Sequence, residues 1–134
     1  MLAENGADEQ DQGSVIIVLA TDIPLSERQL ARVSRRAVVG LARTGSYLGH
    51  GSGDIAVTFT TANRITENAP EDGSETVTYT RIHDSVLDRI FACTAEVTEE
   101  AVVSSLWHAE TVQGRKYLFE GRCEHLKNNY GADF

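Results

Sequence analysis

SVIIVLATDIPLSERQLARVSRRAVVGLARTGSYLGHGSGDIAVTFTT, residues 14–61, is the stretch on which the fold turns. Val15, Ile16, Ile17, Val18 and Leu19 stand in succession. That run is too continuous for a half-exposed strand and too short for a helix, so it reads as a strand buried on both faces. Ser26 and Gln29 then have the S-x-x-Q spacing of a capping box. Leu30, Val33, Ala37, Val38 and Leu41 follow on one helical stripe, with Gly40 expected to end the helix. Residues 43–53 (RTGSYLGHGSG) hold four glycines and read as a turn or tight loop beside a short strand. Ile55, Val57 and Phe59 alternate with Ala56, Thr58 and Thr60, a period-2 strand running to about Thr61.

Outside this stretch the pattern is sparser. Residues 66–78 (TENAPEDGSETVT) read as a polar loop around Pro70 and Gly73. Val86, Leu87, Ile90, Phe91 and Ala95 form a second helical stripe. Thr98, followed by Glu99 and Glu100, suggests the N-cap of a further helix continuing to about Gly114. The last twenty residues are polar with isolated aromatics. The order strand, helix, strand, strand, helix, helix predicts an α/β fold, a mixed sheet covered by helices. The helices present cover one face of such a sheet well and the other incompletely.

With 134 residues, 41% of them apolar and 24% charged, the chain makes one globular domain. Its net charge of −8 speaks against nucleic acid or an anionic membrane as partner. Arg28, Arg32, Arg35, Arg36 and Arg43 are a local exception that reads as a solvated helix face. No run approaches the roughly 18–20 apolar residues of a membrane helix. Residues 1–13 (MLAENGADEQDQG) are acidic and polar, which predicts a disordered tail without the features of a secretory signal, and hence a cytoplasmic protein. Cys93 sits in an apolar helical run and reads as a small core residue, while Cys123 lies in the polar tail; nothing requires a disulfide between them.

Three groups of residues invite chemistry. A serine at a strand start, Gly13-Ser14, is unremarkable by itself. The run Gly49-His50-Gly51-Ser52-Gly53-Asp54 has the glycines of a phosphate cradle, but a strand follows where a phosphate loop wants a helix N-terminus. His50, Ser52 and Asp54 taken as a triad gain nothing from their adjacency, because triads assemble from separate elements. The four histidines, 50, 83, 108 and 125, lack metal-ligand spacing.

Five short motifs in order change this reading: GSVIIV at 13–18, ATDIPL at 20–25, LARTGS at 41–46, GSGD at 51–54 and TTANR at 60–64. With them, residues 13–64 closely resemble the start of the small catalytic subunit of the L-aminopeptidase/D-esterase (beta-aminopeptidase) family of N-terminal-nucleophile hydrolases. Residues 91–115 (FACTAEVTEEAVVSSLWHAETVQGR) resemble that subunit's helical region, so the likeness extends over about 13–117.

The resemblance implies a self-processing serine aminopeptidase that cleaves between Gly13 and Ser14. Ser14 becomes the first residue of the subunit and its nucleophile, with Ser52 and Asp54 orienting and polarising it; Asn63 and Arg64 are read as structural. The implied fold is an αββα sandwich of which residues 14–134 supply the catalytic-subunit part, with 1–13 left as the remnant before the cleavage site. The implied substrates are short peptides, amino-acid amides or beta-peptides, and the implied partners are a large-subunit polypeptide and further copies in a homo-oligomer. No cofactor and no metal are expected.

The family carries a large segment before the scissile glycine, with an asparagine that resembles an oxyanion donor, whereas thirteen polar residues precede Ser14 here. The tail after Arg115 also departs from the family. A separate second polypeptide, a truncated product and a catalytically silent assembly or binding subunit are the readings this leaves open. Acyl transfer by a related acetyltransferase family is disfavoured, since those use threonine where this chain has Ser14.

Overall fold

The computed structural model describes residues 13–64, 73–116 and 118–131. The expected disordered tail therefore falls, except for Gly13, outside the described residues, as do residues 66–72 of the loop expected at 66–78. Strand β1 (Ser14–Thr21) leads to helix α1 (Glu27–Ser34), helix α2 (Ala37–Arg43) and strand β2 (Gly53–Thr60). A 3-10 turn (Asp84–Val86) opens the 21-residue helix α3 (Leu87–Trp107). A short antiparallel pair, β3 (Val112–Gln113) with β4 (Leu118–Phe119), and helix α4 (Arg122–Tyr130) complete the chain.

β1 and β2 pair in parallel, Ser14 opposite Gly53 and Thr21 opposite Thr60. Parallel neighbours need a long crossover, and α1 and α2 supply it. α1 begins as its sequence predicts. The Ser26 hydroxyl accepts the Gln29 backbone N–H (3.3 Å) and the Gln29 side chain accepts that of Ser26 (3.0 Å), a complete capping box. The single helix expected up to Gly40 is instead two, separated at Arg35 and Arg36. Gly40 lies inside α2 because helix contact requires it. A β-carbon there would meet the Ala95 carbonyl and come within 2.7 Å of Thr98 Cβ, so only glycine lets α2 approach α3.

α3 likewise corrects the expected break at Thr98 and the expected end near Gly114. Thr98 is buried mid-helix, and its hydroxyl donates back to the Thr94 carbonyl (2.8 Å), which removes the local competition that makes threonine a cap. The helix stops at Trp107, and residues 112–113 pair as β3 instead. Cys93 also departs from expectation: it is an exposed, free thiol on α3, not a core residue.

The core is small. Leu25, Val33 and Leu87 are buried together, with Leu19, Ile23, Ile82, Ile90 and Phe91 packed around them. It lies between the helices and one face of the sheet. Along β2 the residues turned to that side are Ala56, Thr58 and Thr60. Their polarity is satisfied there: the Thr58 hydroxyl bonds that of Ser34 (2.6 Å), and the Thr60 hydroxyl donates to the Ile23 carbonyl (2.7 Å).

The outer face is the more apolar one. Ile16 and Val18 of β1 are 72% and 64% exposed, and Ile55, Val57 and Phe59 of β2 are about half exposed. β1 is thus not buried on both faces: Val15, Ile17, Leu19 and Thr21 are half-buried, and the alternate residues between them stand exposed. The period-2 alternation of β2 is real, but its apolar row points away from the helices.

Candidate active site

The parallel register brings together what the sequence keeps 39 residues apart. Because both strands run the same way, their N-terminal ends lie side by side, and Ser14 stands opposite Gly53. The Gly53 backbone N–H donates to Ser14 Oγ at 3.1 Å. Gly13 and Ser14 are both exposed, so the bond between them and the hydroxyl beyond it are open to reagents.

The glycine-rich loop before β2 places the other two residues. Its final turn is closed by Ser52 N–H donating to the Gly49 carbonyl (2.9 Å). Ser52 Oγ donates to Asp54 Oδ1 at 3.0 Å, bridging over Gly53. Ser14 and the Ser52–Asp54 pair thus lie at the same end of the sheet, where the bond to Ser14 comes from the Gly53 backbone between the pair. His50 is exposed on the same loop.

The arrangement holds a hydroxyl in a donated hydrogen bond beside a serine–carboxylate pair. A hydroxyl so placed is a nucleophile if a base takes its proton. Asp54 accepts one bond from Ser52 and has lone pairs left for a cation, such as an ammonium formed nearby. Sequence reading named Ser14, Ser52 and Asp54 as candidates and did not name the Gly53 N–H that bonds Ser14. A parallel register between two short strands is the only signal that reveals it.

A second cluster, on the helical side, was missed almost entirely. Buried Gln29 donates to the Ile82 carbonyl (2.9 Å) and to Asp84 Oδ1 (2.7 Å), tying the start of α1 to the segment that opens α3. Arg28, Arg32 and Arg81 lie 3.3–3.5 Å from the same carboxylate. The bond from Gln29 first, then the three guanidinium charges against some desolvation, holds Asp84 below the ordinary carboxyl value. Arg32 and Arg36 also sit over the Phe91 ring, 5.2 and 4.6 Å from its centroid. Arg28, Arg35, Arg36 and Arg43 are exposed, as a solvated helix face is, and Arg32 is the half-buried member between Asp84 and Phe91. Asn63 is structural, as read: its amide clamps the Thr80 backbone, donating to the carbonyl (2.9 Å) and accepting the N–H (3.1 Å).

Known proteins are similar in sequence and fold. The family model of peptidase family S58 matches residues 2–118, beginning upstream of Ser14. Beta-peptidyl aminopeptidase BapA of Sphingosinicella microcystinivorans is 37% identical over 112 residues, covering 84% of this chain and 28% of that protein. The PH0078 protein of Pyrococcus horikoshii OT3 superposes with a TM-score of 0.72 at 46% identity, covering 88% of this chain and 34% of its own. The L-aminopeptidase D-Ala-esterase/amidase of Ochrobactrum anthropi superposes with a TM-score of 0.70 at 34% identity, covering 92% of this chain and 35% of its own. That enzyme is a prototype for the serine aminopeptidases and a new variant among the Ntn hydrolase fold. The chain spans between 28% and 35% of the length of these relatives.

Proposed function

The chain belongs to peptidase family S58, and from that premise we propose that it is the nucleophile-bearing part of a self-processing serine aminopeptidase. The observation that carries the reading is the meeting of Ser14 with the Ser52-Gly53-Asp54 turn at one end of the parallel sheet.

In the intact chain the Ser14 nitrogen is an amide and cannot accept a proton. Cleavage of Gly13–Ser14 turns it into an α-amine with an ordinary pKa of about 7.7–8.0, partly neutral near pH 7. That amine takes the Oγ proton as Oγ bonds to the substrate carbonyl carbon, and the carbonyl becomes an oxyanion. The oxyanion collapses, the departing amine takes the proton, and an ester to Ser14 remains. Water, deprotonated by the same α-amine, attacks the ester and releases the acid. Asp54, held by Ser52, balances the charge on the α-ammonium.

The substrates proposed are short peptides, amino-acid amides and beta-peptides cut at the amino end. The exposed apolar row of Ile16, Val18, Ile55, Val57 and Phe59 supports a partner: a large-subunit polypeptide that covers it and completes an αββα sandwich. Assembly into a homo-oligomer and a cytoplasmic location, in keeping with the free Cys93 thiol, complete the reading.

Intact mass of the purified chain and of a Ser14→Ala variant tests the nucleophile directly. Loss of residues 1–13 from the parent, with the variant uncleaved, is the expected result. Equal cleavage of both chains removes Ser14 from the mechanism. A parent that stays whole even with a large-subunit polypeptide supports the silent assembly subunit instead.

A further inference from the structure

The Ser52–Asp54 pair has a second side. Side chains along a strand alternate between faces. Asp54 therefore shares the helical row of Ala56, Thr58 and Thr60, whereas Ser14, in line with Ile16 and Val18, belongs to the outer row. On the helical side Asp54 lines a groove of about 240 Å³. Ile17 and Ala56 of the sheet and Val38 and Leu41 of α2 give that groove an apolar floor. Arg35, which follows the last turn of α1, stands on its rim together with Asp54, and both are exposed.

These two charges are uncommitted. Arg28, Arg32 and Arg81 converge on Asp84, and Arg43 bonds Glu99, but among the described residues the Arg35 side chain has no ion pair. Asp54 accepts one hydrogen bond, from Ser52 on Oδ1, and a carboxylate has room for about four. The two line one groove without pairing with each other. A cation and an anion set apart over an apolar floor match a molecule that carries both charges on a short apolar body. An amino acid is such a molecule: its carboxylate fits the fork of a guanidinium, and its ammonium donates to a carboxylate. The volume lies below the roughly 300–1,000 Å³ of sites for drug-sized ligands. It suits one residue rather than a longer peptide.

We propose that this groove binds a free amino acid with an apolar side chain, its carboxylate on Arg35, its ammonium on Asp54 and its side chain over Ile17, Val38 and Leu41. The choice of ligand rests on the proposed aminopeptidase, because cutting at the amino end releases such a molecule as product. The consequence is feedback. Asp54 is the carboxylate assigned to balance the Ser14 α-ammonium, and an ammonium held in the groove competes for it from the opposite face of the sheet. Linkage makes the effect reciprocal. Product then slows the enzyme without entering the place where substrate meets Ser14.

Titration of the full chain with L-leucine, followed by NMR of its backbone amides, tests the proposal. Leucinamide keeps the ammonium and lacks the carboxylate; isocaproate keeps the carboxylate and lacks the ammonium. The expected result is saturable binding of leucine at about millimolar concentration, as so small a ligand at an open site allows, with shifts centred on Ile17, Ile55 and Ala56. Each truncated ligand should bind roughly five- to tenfold more weakly, as should leucine to Arg35→Ala. Arg36→Ala, which removes the neighbouring charge from over Phe91, should bind leucine as the parent does. Failure to saturate, equal binding of leucine and both truncated forms, or shifts gathered on the outer face overturns the inference, and the ligand series decides this on the parent chain alone. In the active assembly leucine should slow the parent more than Arg35→Ala; equal slowing of both overturns the feedback. None of the binding results needs a working nucleophile, so a failure of the Ser14 reading shows in the Ser14→Ala mass and a failure of the groove shows in the titration.

Discussion

Two serine–aspartate clusters flank the same sheet and differ in how completely they are used. On the helical side, Ser26, Gln29 and Asp84 form a closed set. Gln29 is 1% exposed, with its oxygen bonded to the Ser26 N–H and its nitrogen to both Ile82 and Asp84. Asp84 receives that bond and three arginines besides. At the sheet's N-terminal end, Ser14, Ser52 and Asp54 lie open to solvent or half-buried, joined by two hydrogen bonds across Gly53. The first cluster has used its bonding capacity to join α1 to α3. The second keeps capacity in reserve, as the site proposed for the nucleophile requires. The same residue types are structural in one place and chemically available in the other.

Four measurements sharpen or break this contrast. The largest effect is expected at Ser14. If Ser14 is the nucleophile as proposed, then in an assembly with the proposed large subunit Ser14→Ala should lower kcat on the order of 10⁶-fold, as loss of the nucleophile does in other serine hydrolases, while circular dichroism stays unchanged. Next come the residues beside it: Ser52→Ala and Asp54→Asn should each reduce kcat by roughly 10²–10³-fold, comparable to loss of one polar group at a hydrolytic site. A normal rate in either variant would return that residue to the role of a loop brace.

Gln29→Ala belongs to the other side of the comparison. It removes half of the capping box and leaves the Ile82 carbonyl without its buried donor, so denaturant unfolding should show a loss of about 2–3 kcal/mol. Activity per folded molecule should be kept. An inactive but stable Gln29→Ala protein would erase the distinction between the two clusters.

The smallest effect concerns acid. Asp84 has a lowered folded pKa, so its contribution to stability is fully present above the ordinary value of 3.8 and fades as pH falls through the lower folded value. Midpoints of denaturant unfolding for parent and Asp84→Asn should differ near neutral pH and converge toward pH 2. A gap that persists in acid would mean that the charge is not what holds the segment.

Much of this was legible without coordinates. Capping of α1 was readable because Ser26 and Gln29 satisfy each other three residues apart, a purely local bond pattern. The strands were readable because β-branched runs and period-2 alternation are local as well. Family motifs pointed to Ser14, Ser52 and Asp54 together. The failures share one cause. Thr98 carries the signature of a cap, yet packing against Gly40 keeps α3 continuous through it. Gly40 looked like a helix end, although its missing side chain serves contact between helices. Cys93 looked like core because its neighbours in sequence are apolar, but it lies on the side of α3 that lines an open groove with Leu19 and Thr21.

By itself, then, the sequence determined β1, β2 and the capped start of α1, because those depend on hydrogen bonds and side-chain periods within a few residues. It also determined the family, through the order of five short motifs. Tertiary structure alone decided which face of the sheet the helices cover. Alternation marks two faces but does not say which one a distant helix will reach, and Thr58 and Thr60 won the inner side through hydroxyl bonds to Ser34 and Ile23. Tertiary structure alone also decided that the Gly53 N–H meets Ser14, since parallel register is set by a crossover and not by either strand.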